Sequence, residues 1–385
     1  MARKKTDLVI VNRSFWPEGQ VIGEGLLQFA EQAAQHHSVC VITQTEGALA
    51  GLLASKGRGK GVQVFQCKSY TNSSSGVIKR IAEAVFFMLW TFIGLIRTKP
   101  ANVYVSTNPP VVVPFIVSVY CQLFGARYVY HLQDIHPEIT NIVVPLNGLL
   151  LRALKSVDNF TLRHADSIVT LTEDMRTYIQ QRSGTQSPIY LLDNPSFDVP
   201  PVPLEERPKD IVFCGNLGRL QRIPLLMTAI RDYLKNGGKL RFTFAGGGLY
   251  VSEVQTLANA YDQVDYLGVL SATEAADLVN RHKWAMLPID DEVSKYAFPS
   301  KSSGYALSGT GVLAICGEDT SVARWVERQK IGLVCVADHE ALVRCFFSLE
   351  SEKFDNTMMS QEDRDILQLC FFSKQLCRYL IPGFG

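Results

Sequence analysis

The chain has no excess of charge of either sign: 38 Lys and Arg stand against 37 Asp and Glu, a net of +1. This excludes a general polycation that grips nucleic acid by neutralising phosphates. Charge is also sparse, at 19% against 47% hydrophobic residues, which excludes a disordered chain. The nine cysteines include no CxxC pair and are scattered through apolar runs, so neither a zinc site nor a disulfide framework is expected, and a reducing compartment fits better. No signal-peptide core is expected, because the apolar run Leu8–Val11 is cut by Asn12 and Arg13. Long hydrophobic runs are few. Ala84–Ile96 is about thirteen residues, too short to span ~30 Å of hydrocarbon, and Pro109–Ala126 is crowded at its start by Pro109, Pro110 and Pro114. Two buried or half-buried helices around the strand NVYVST are expected; a transmembrane hairpin and a helix leaning on a bilayer are the alternatives.

What is present is an alternation. A length of 385 residues suggests two domains or three small ones. Residues 1–195 hold 18 Lys and Arg against 13 Asp and Glu, net +5, and the remainder holds 20 against 24, net −4. In the first half the short strands LVIVN, SVCVIT, VQVFQC, NVYVST, RYVYHLQ, SIVTLT and IYLLDN are separated mostly by helical segments, the pattern of a parallel sheet covered on both faces. Asn194–Asp210 carries five prolines and reads as a linker. Beyond it the alternation restarts with DIVFC, LRFTF, VDYLGVL, WAMLPI and VLAIC, and the tail DILQLCFFSKQLCRYL reads as a helix. The only low-complexity stretch is Asn72–Gly76. The expectation is α/β: two doubly wound domains with a ligand cleft beyond the carboxyl ends of their strands. Their bounds are 1–195, a linker at 196–209, a second domain at 210–365 and a C-terminal helix at 366–385.

Several strand ends carry residues suited to a phosphorylated ligand. Gly215, Asn216 and Gly218 follow DIVFC, with Arg219 and Arg222 behind them. Glycines let backbone approach a phosphate and arginines neutralise it, although a tight turn with surface arginines has the same sequence. Gly246, Gly247 and Gly248 repeat the arrangement one unit later, around a ligand or simply as a turn. Pro299, Ser300 and Lys301 precede a small-residue helix and suit an anion pocket, or else a helix cap with a solvated lysine. In the first half Asp134, His136 and Glu138 crowd the end of a buried strand, where a cleft site explains them better than packing does. There Asp134 would orient a hydroxyl. His136, with an ordinary pKa of about 6.5, would donate a hydrogen bond or stack. Gly19 and Gly23 are assigned to the first strand-to-helix loop, facing the same cleft.

The order and spacing of these segments resemble family 4 glycosyltransferases of the GT-B fold, closest to bacterial enzymes that build O-antigen or capsular polysaccharide with amino sugars. LVIVNRSFWPEGQVIGEG resembles their opening strand and glycine loop, VYVSTNPPVVVPF their S-x-P-P strand end, and YHLQDIHPE their R-D-L-W-P-E segment. IVFCGNLGRLQ, FPSKSSGYALSGTGVLAI and FFSKQLCRYL continue the match, the last resembling a closing helix that crosses back to the first domain. The chain departs from the pattern at Gly304 and Tyr296, where the family carries glutamates, at Gln133, where it carries Arg or His, and at His136, where it carries Trp.

The resemblance implies transfer of a hexosyl or N-acetylhexosaminyl group, with retention, from a nucleotide diphosphate-sugar to a glycan carried on a polyprenyl diphosphate. It implies no cofactor and no metal, with Asp290-Asp291-Glu292 as a charged loop. Lys301 and Arg219 fall at the diphosphate, and Gly246–Gly248 with Leu267 and Gly268 around the nucleotide. The expected location is cytoplasmic, peripheral on the inner face of the membrane, with no nucleic-acid partner. A sugar-nucleotide 2-epimerase on the same fold, and a degenerate non-catalytic subunit suggested by Gly304 and Tyr296, are the rival readings.

Overall fold

The computed structural model describes residues 6–71, 76–203, 206–351 and 359–380. The basic start Met1–Lys5, most of the Asn72–Gly76 stretch, Leu204 and Glu205 of the proline-rich segment and the last five residues lie outside the described ones. The chain divides into two units. One comprises the residues up to Pro195 with those from Leu369 onward, the other Ser196–Gln368.

In the first unit, β1 (Leu8–Ser14), β2 (Val39–Thr45), β3 (Val62–Lys68), β4 (Asn102–Ser106), β5 (Arg127–His131), β6 (Ser167–Thr170) and β7 (Ile189–Leu191) form one sheet in the order β3-β2-β1-β4-β5-β6-β7. Every pairing in it is parallel. Helices cover both faces, so the central strands are buried on each side. This is why LVIV and VYV read as unbroken apolar runs rather than alternating ones. The direction of winding reverses between β1 and β4. In such sheets the crevice lies beyond the carboxyl ends at that reversal. The chain returns to this unit in the helix Leu369–Leu380, whose Phe372, Leu376 and Cys377 pack with Leu26, Phe29 and Ala30 of the helix Gln20–Ala33. That second helix begins earlier than the glycine spacing suggested. Gly19 is its N-cap and Gly23 lies inside it, where a Cβ would sit 3.0 Å from the Trp16 nitrogen.

In the second unit, β8 (Lys209–Cys214), β9 (Phe242–Ala245), β10 (Val264–Tyr266), β11 (His282–Pro288), β12 (Gly311–Ile315) and β13 (Gly332–Cys335) form a parallel sheet in the order β10-β9-β8-β11-β12-β13. The reversal here lies between β8 and β11. Sequence reasoning missed β13 and the helices Leu49–Ser55, Glu138–Val143, Ser321–Gln329, His339–Ser351 and Gln361–Ile366. Each is short, or carries glycine or mixed polarity that hides its period. Thr320 and Ser360 cap two of them by accepting from the nitrogens of Ala323 and Asp363.

The helix over Ala84–Ile96 is also longer than expected. It runs Val77–Thr98, which makes it long and apolar enough to cross a membrane by length and composition. In the sequence the apolar run is bounded by Glu83 and Arg97. Helical backbone continues through both.

Candidate functional site

In the second unit the reversal point is built from loops that touch. β8 ends at Cys214 and β11 at Pro288, and Arg222 ties the segments that follow them. Its Nε donates to the Ile289 carbonyl at 2.9 Å and its Nη2 to Asp291 at 2.9 Å, with Asp290 at 3.6 Å. Arg222 was expected to neutralise a phosphate. Its charge is instead matched by these two carboxylates, which also gives Asp290 and Asp291 their part in the structure. Arg219 begins the short turn Arg219–Gln221 and is exposed.

The glycine loops nest on one another. The Gly215 and Leu217 nitrogens donate to Ala245 and Gly247, at 2.9 and 2.8 Å, and the Gly246 nitrogen donates to Gly268 at 2.7 Å. Gly246 has φ +133°, and a Cβ there would lie 1.8 Å from the Gly215 carbonyl oxygen, so no other residue fits. Gly215, Asn216, Gly246–Gly248, Leu267 and Gly268 are thus brought together from three strand ends, with the Asn216 and Leu267 side chains exposed.

Lys301 completes this wall. Its helix, Ser302–Leu307, is only six residues, so the side chain rather than a helix dipole supplies the positive charge, a correction to the dipole argument. Pro299 and the exposed Ser300 lead into it. The Lys301 ammonium is buried without a hydrogen-bond partner and lies 3.7 Å from the centre of the Phe213 ring. Burial lowers its pKa from 10.5 to about 7. A Cβ on Gly215 would stand 3.2 Å from Nζ, so glycine there keeps the ammonium's approach open. Ser302 Oγ, on the next residue, and Gln221 Oε1, beside Gly218, are also buried and unpartnered. Buried polar atoms left unpaired cost about 1–3 kcal/mol each and more when charged, so the Lys301 ammonium calls for a ligand with acceptors, while Gln221 Oε1 calls for a donor. Tyr305 braces it: its hydroxyl donates to the Cys214 carbonyl at 3.0 Å and accepts from the Cys214 nitrogen at 3.2 Å. Sequence reading missed Phe213, Gln221, Ser302 and Tyr305. Phe213 is an ordinary core residue by pattern, and only the i, i+4 spacing of Lys301 and Tyr305 hinted at a pair. At Gly304, a Cβ would start 3.1 Å from Ser196 Oγ, so the hydroxyl of Ser196 borders the space a longer residue would use.

In the first unit, Asp134 follows β5. Burial raises its pKa to about 6. His136 does not keep its ordinary pKa. Burial lowers it to about 4, against a raising effect from Glu138, and its Nδ1 lies 2.8 Å from Thr140 Oγ1. Glu138 is not free to act on a ligand in this geometry. It pairs with Arg182 at 2.8 Å and Lys155 at 3.2 Å and accepts from the Tyr178 hydroxyl at 2.6 Å. Burial alone would raise its pKa, but the Arg182 charge and these hydrogen bonds bring it below the usual value. Arg182 also bonds Asp158, which accepts from Tyr130, so Glu138 anchors a buried ionic cluster beneath the loop. Gly19 and Gly23 shape the turn after β1 by close packing on Ser14, Phe15 and Trp16.

Comparison with known proteins fits this architecture. Residues 26–195 match the model of the glycosyl transferase 4-like domain. Anabaena HepE, solved with UDP, superposes with a TM-score of 0.66 at 14% identity, covering 97% of this chain and 99% of that one. Sucrose-phosphate synthase from Thermosynechococcus elongatus gives 0.71 at 12%, covering 97% and 98%. The chain has the GT-B fold. The lipopolysaccharide outer core galactosyltransferase WaaB gives a TM-score of 0.58 at 13% identity, covering 98% and 96%. No curated protein matches the sequence.

Proposed function

We propose that this protein is a glycosyltransferase that moves a sugar, with retention, from a nucleotide diphosphate-sugar to a glycan on a polyprenyl diphosphate, in the making of a surface polysaccharide. The observation that carries the reading is the buried, unpartnered ammonium of Lys301 in a cradle of glycine loops at the reversal point of the second sheet. A diphosphate supplies the negative charge and acceptors this wall lacks. UDP bound to HepE makes a uridine diphosphate-sugar the first donor to try. In the reaction the anomeric carbon–oxygen bond breaks, electrons pass to the departing diphosphate, and the acceptor hydroxyl bonds the anomeric carbon on the same face. Its proton passes to the leaving phosphate oxygen. Lys301 opposes the charge that develops on that diphosphate, an interaction stronger in the transition state than in the ground state. Asp134 is assigned to the acceptor hydroxyl as its hydrogen-bond acceptor. No metal or cofactor is invoked. The polyprenyl acceptor places the enzyme at the cytoplasmic face of the membrane, in keeping with the net +5 of residues 1–195.

The test is calorimetric titration of wild type and Lys301→Ala with UDP and with uridine. A charge-assisted contact to phosphate is worth ~1.5–3 kcal/mol, so UDP affinity should fall roughly 10- to 150-fold and uridine affinity should not change. Equal losses for both ligands would remove Lys301 from the phosphate site. Product analysis then decides the chemistry: a glycosylated acceptor supports transfer, while an epimerised nucleotide sugar or an unchanged donor overturns it.

A further inference from the structure

The helix Val77–Thr98 is apolar on two sides: Phe87 and Leu95 are buried against the protein, and a second apolar face turns to solvent. Its only acid, Glu83, is buried. It pairs with Arg13 at 2.8 Å and accepts from the Tyr70 and Thr71 nitrogens. Thr91 is also buried. On the other side Ile81, Val85, Phe86, Leu89, Ile93 and Ile96 are each at least 40% exposed, and Ile78 extends the row to 84% exposure. At 100° per residue these side chains fall within an arc of about 140°. The exposed charges of the helix and its cap lie toward its ends, and all are basic: Lys79 and Arg80 at one, Arg97 and Lys99 at the other. An apolar face of about 30 Å between two cationic ends has the chemistry of a lipid–water interface.

We infer that this helix lies flat in the surface of an anionic bilayer, with its apolar arc in the acyl boundary and its basic ends on headgroup phosphates. This deepens the membrane-side reading above and stands independently of the transfer chemistry. A spanning orientation conflicts with the inner face. Gly94 rides against the sheet so closely that a Cβ would lie 2.7 Å from Ile42 and 2.8 Å from Phe65, Trp90 stacks on Phe65 at 4.6 Å, and Glu83 holds Arg13. A second copy also fits poorly. A twofold contact between antiparallel helices brings Arg80 beside Arg97, with no exposed acid on the helix to separate them.

The test is co-sedimentation of the full chain with phosphatidylcholine vesicles with and without phosphatidylglycerol, at low and high salt. Binding is expected on the anionic vesicles and should weaken with salt. The triple variant Phe86→Gln, Leu89→Gln, Ile93→Gln should lose at least ~30-fold in partitioning. The triple variant Lys79→Gln, Arg80→Gln, Arg97→Gln should lose ~100-fold, at about fivefold per basic residue, and its salt dependence should flatten. All six positions are exposed, so both variants should melt like wild type and bind UDP as it does; loss of UDP binding alone would strike the donor reading and leave this one standing. Equal binding to neutral vesicles, or glutamine variants that bind like wild type, would overturn the inference. So would a need for detergent to extract the protein at high salt, which indicates spanning. A dimer that ignores vesicles and dissociates in the first triple variant would assign the face to a second copy.

Discussion

Lys301→Met gives a prediction with opposite signs for stability and binding. The drop in the Lys301 pKa from 10.5 to about 7 means that the empty folded state disfavours the charged ammonium. At about 1.4 kcal/mol per pH unit, this corresponds to ~5 kcal/mol at neutral pH. The Phe213 ring face, 3.7 Å away, offsets about 2 kcal/mol by cation–π attraction and leaves ~3 kcal/mol. Methionine fills a similar volume without charge. The variant's second unit should therefore be more stable toward urea by roughly 1–3 kcal/mol at pH 7. The sign follows from proton counting: between pH 7 and 10.5 the unfolded chain binds the proton that the folded chain releases, so wild-type stability rises with pH across that window and the variant's does not. Binding a diphosphate should reverse the preference, because the anion returns the lysine toward its ordinary pKa. At pH 8 wild type should take up close to one proton per uridine diphosphate-sugar bound, read from the dependence of calorimetric enthalpy on buffer. Affinity should weaken about tenfold per pH unit above 7. A Lys301→Met protein less stable than wild type that still binds the donor would refute both the desolvation argument and the phosphate assignment.

Asp134→Asn should lower turnover at least ~100-fold with donor affinity unchanged, and wild-type turnover should fall below pH 6 as the carboxylate protonates; full activity would reduce Asp134 to shaping its loop. Gly246→Ala puts a methyl 1.8 Å from the Gly215 carbonyl oxygen at φ +133° and should cost the second unit at least ~3 kcal/mol in urea unfolding, whereas a change under ~1 kcal/mol would mean the loops yield freely. Acid should loosen the first unit: His131, buried with its Nδ1 2.6 Å from the Tyr104 hydroxyl, has its pKa lowered to about 3 by burial, so the stability it contributes above pH 6.5 is lost toward pH 3 at about 1.4 kcal/mol per unit. The raised carboxyls Asp134 and Asp158 oppose this in part, so the diagnostic is a shallower acid slope in His131→Gln than in wild type.

The sequence by itself determined the fold class and most of the strand order along the chain. Parallel strands buried on both faces must be continuous apolar runs, and the connecting helices must be amphipathic or small, so LVIV, VYV and VLAI announce themselves. The strand-end loops were legible for a related reason. Glycines clustered directly after a buried strand have few other uses, and the spacing of Gly215, Gly246–Gly248 and Gly268 survived into one nest. Tertiary structure alone decided which partners the charged groups meet. Arg222 and Arg219 look alike in sequence, but only the three-dimensional path of β11 brings Asp290 and Asp291 onto Arg222. Glu138 and Asp134 both follow β5, yet Arg182 and Lys155, distant in sequence, take the first and leave the second to be desolvated. The long helix shows the same limit in reverse. Its residues state that it is apolar, but hydropathy has no direction, and the outward turn of that face became visible only when Glu83 met Arg13 across 70 residues of chain. Local sequence fixes periodicity and backbone preference because these depend on neighbours along the chain. Charge pairing, desolvation and the choice of exposed face depend on neighbours in space.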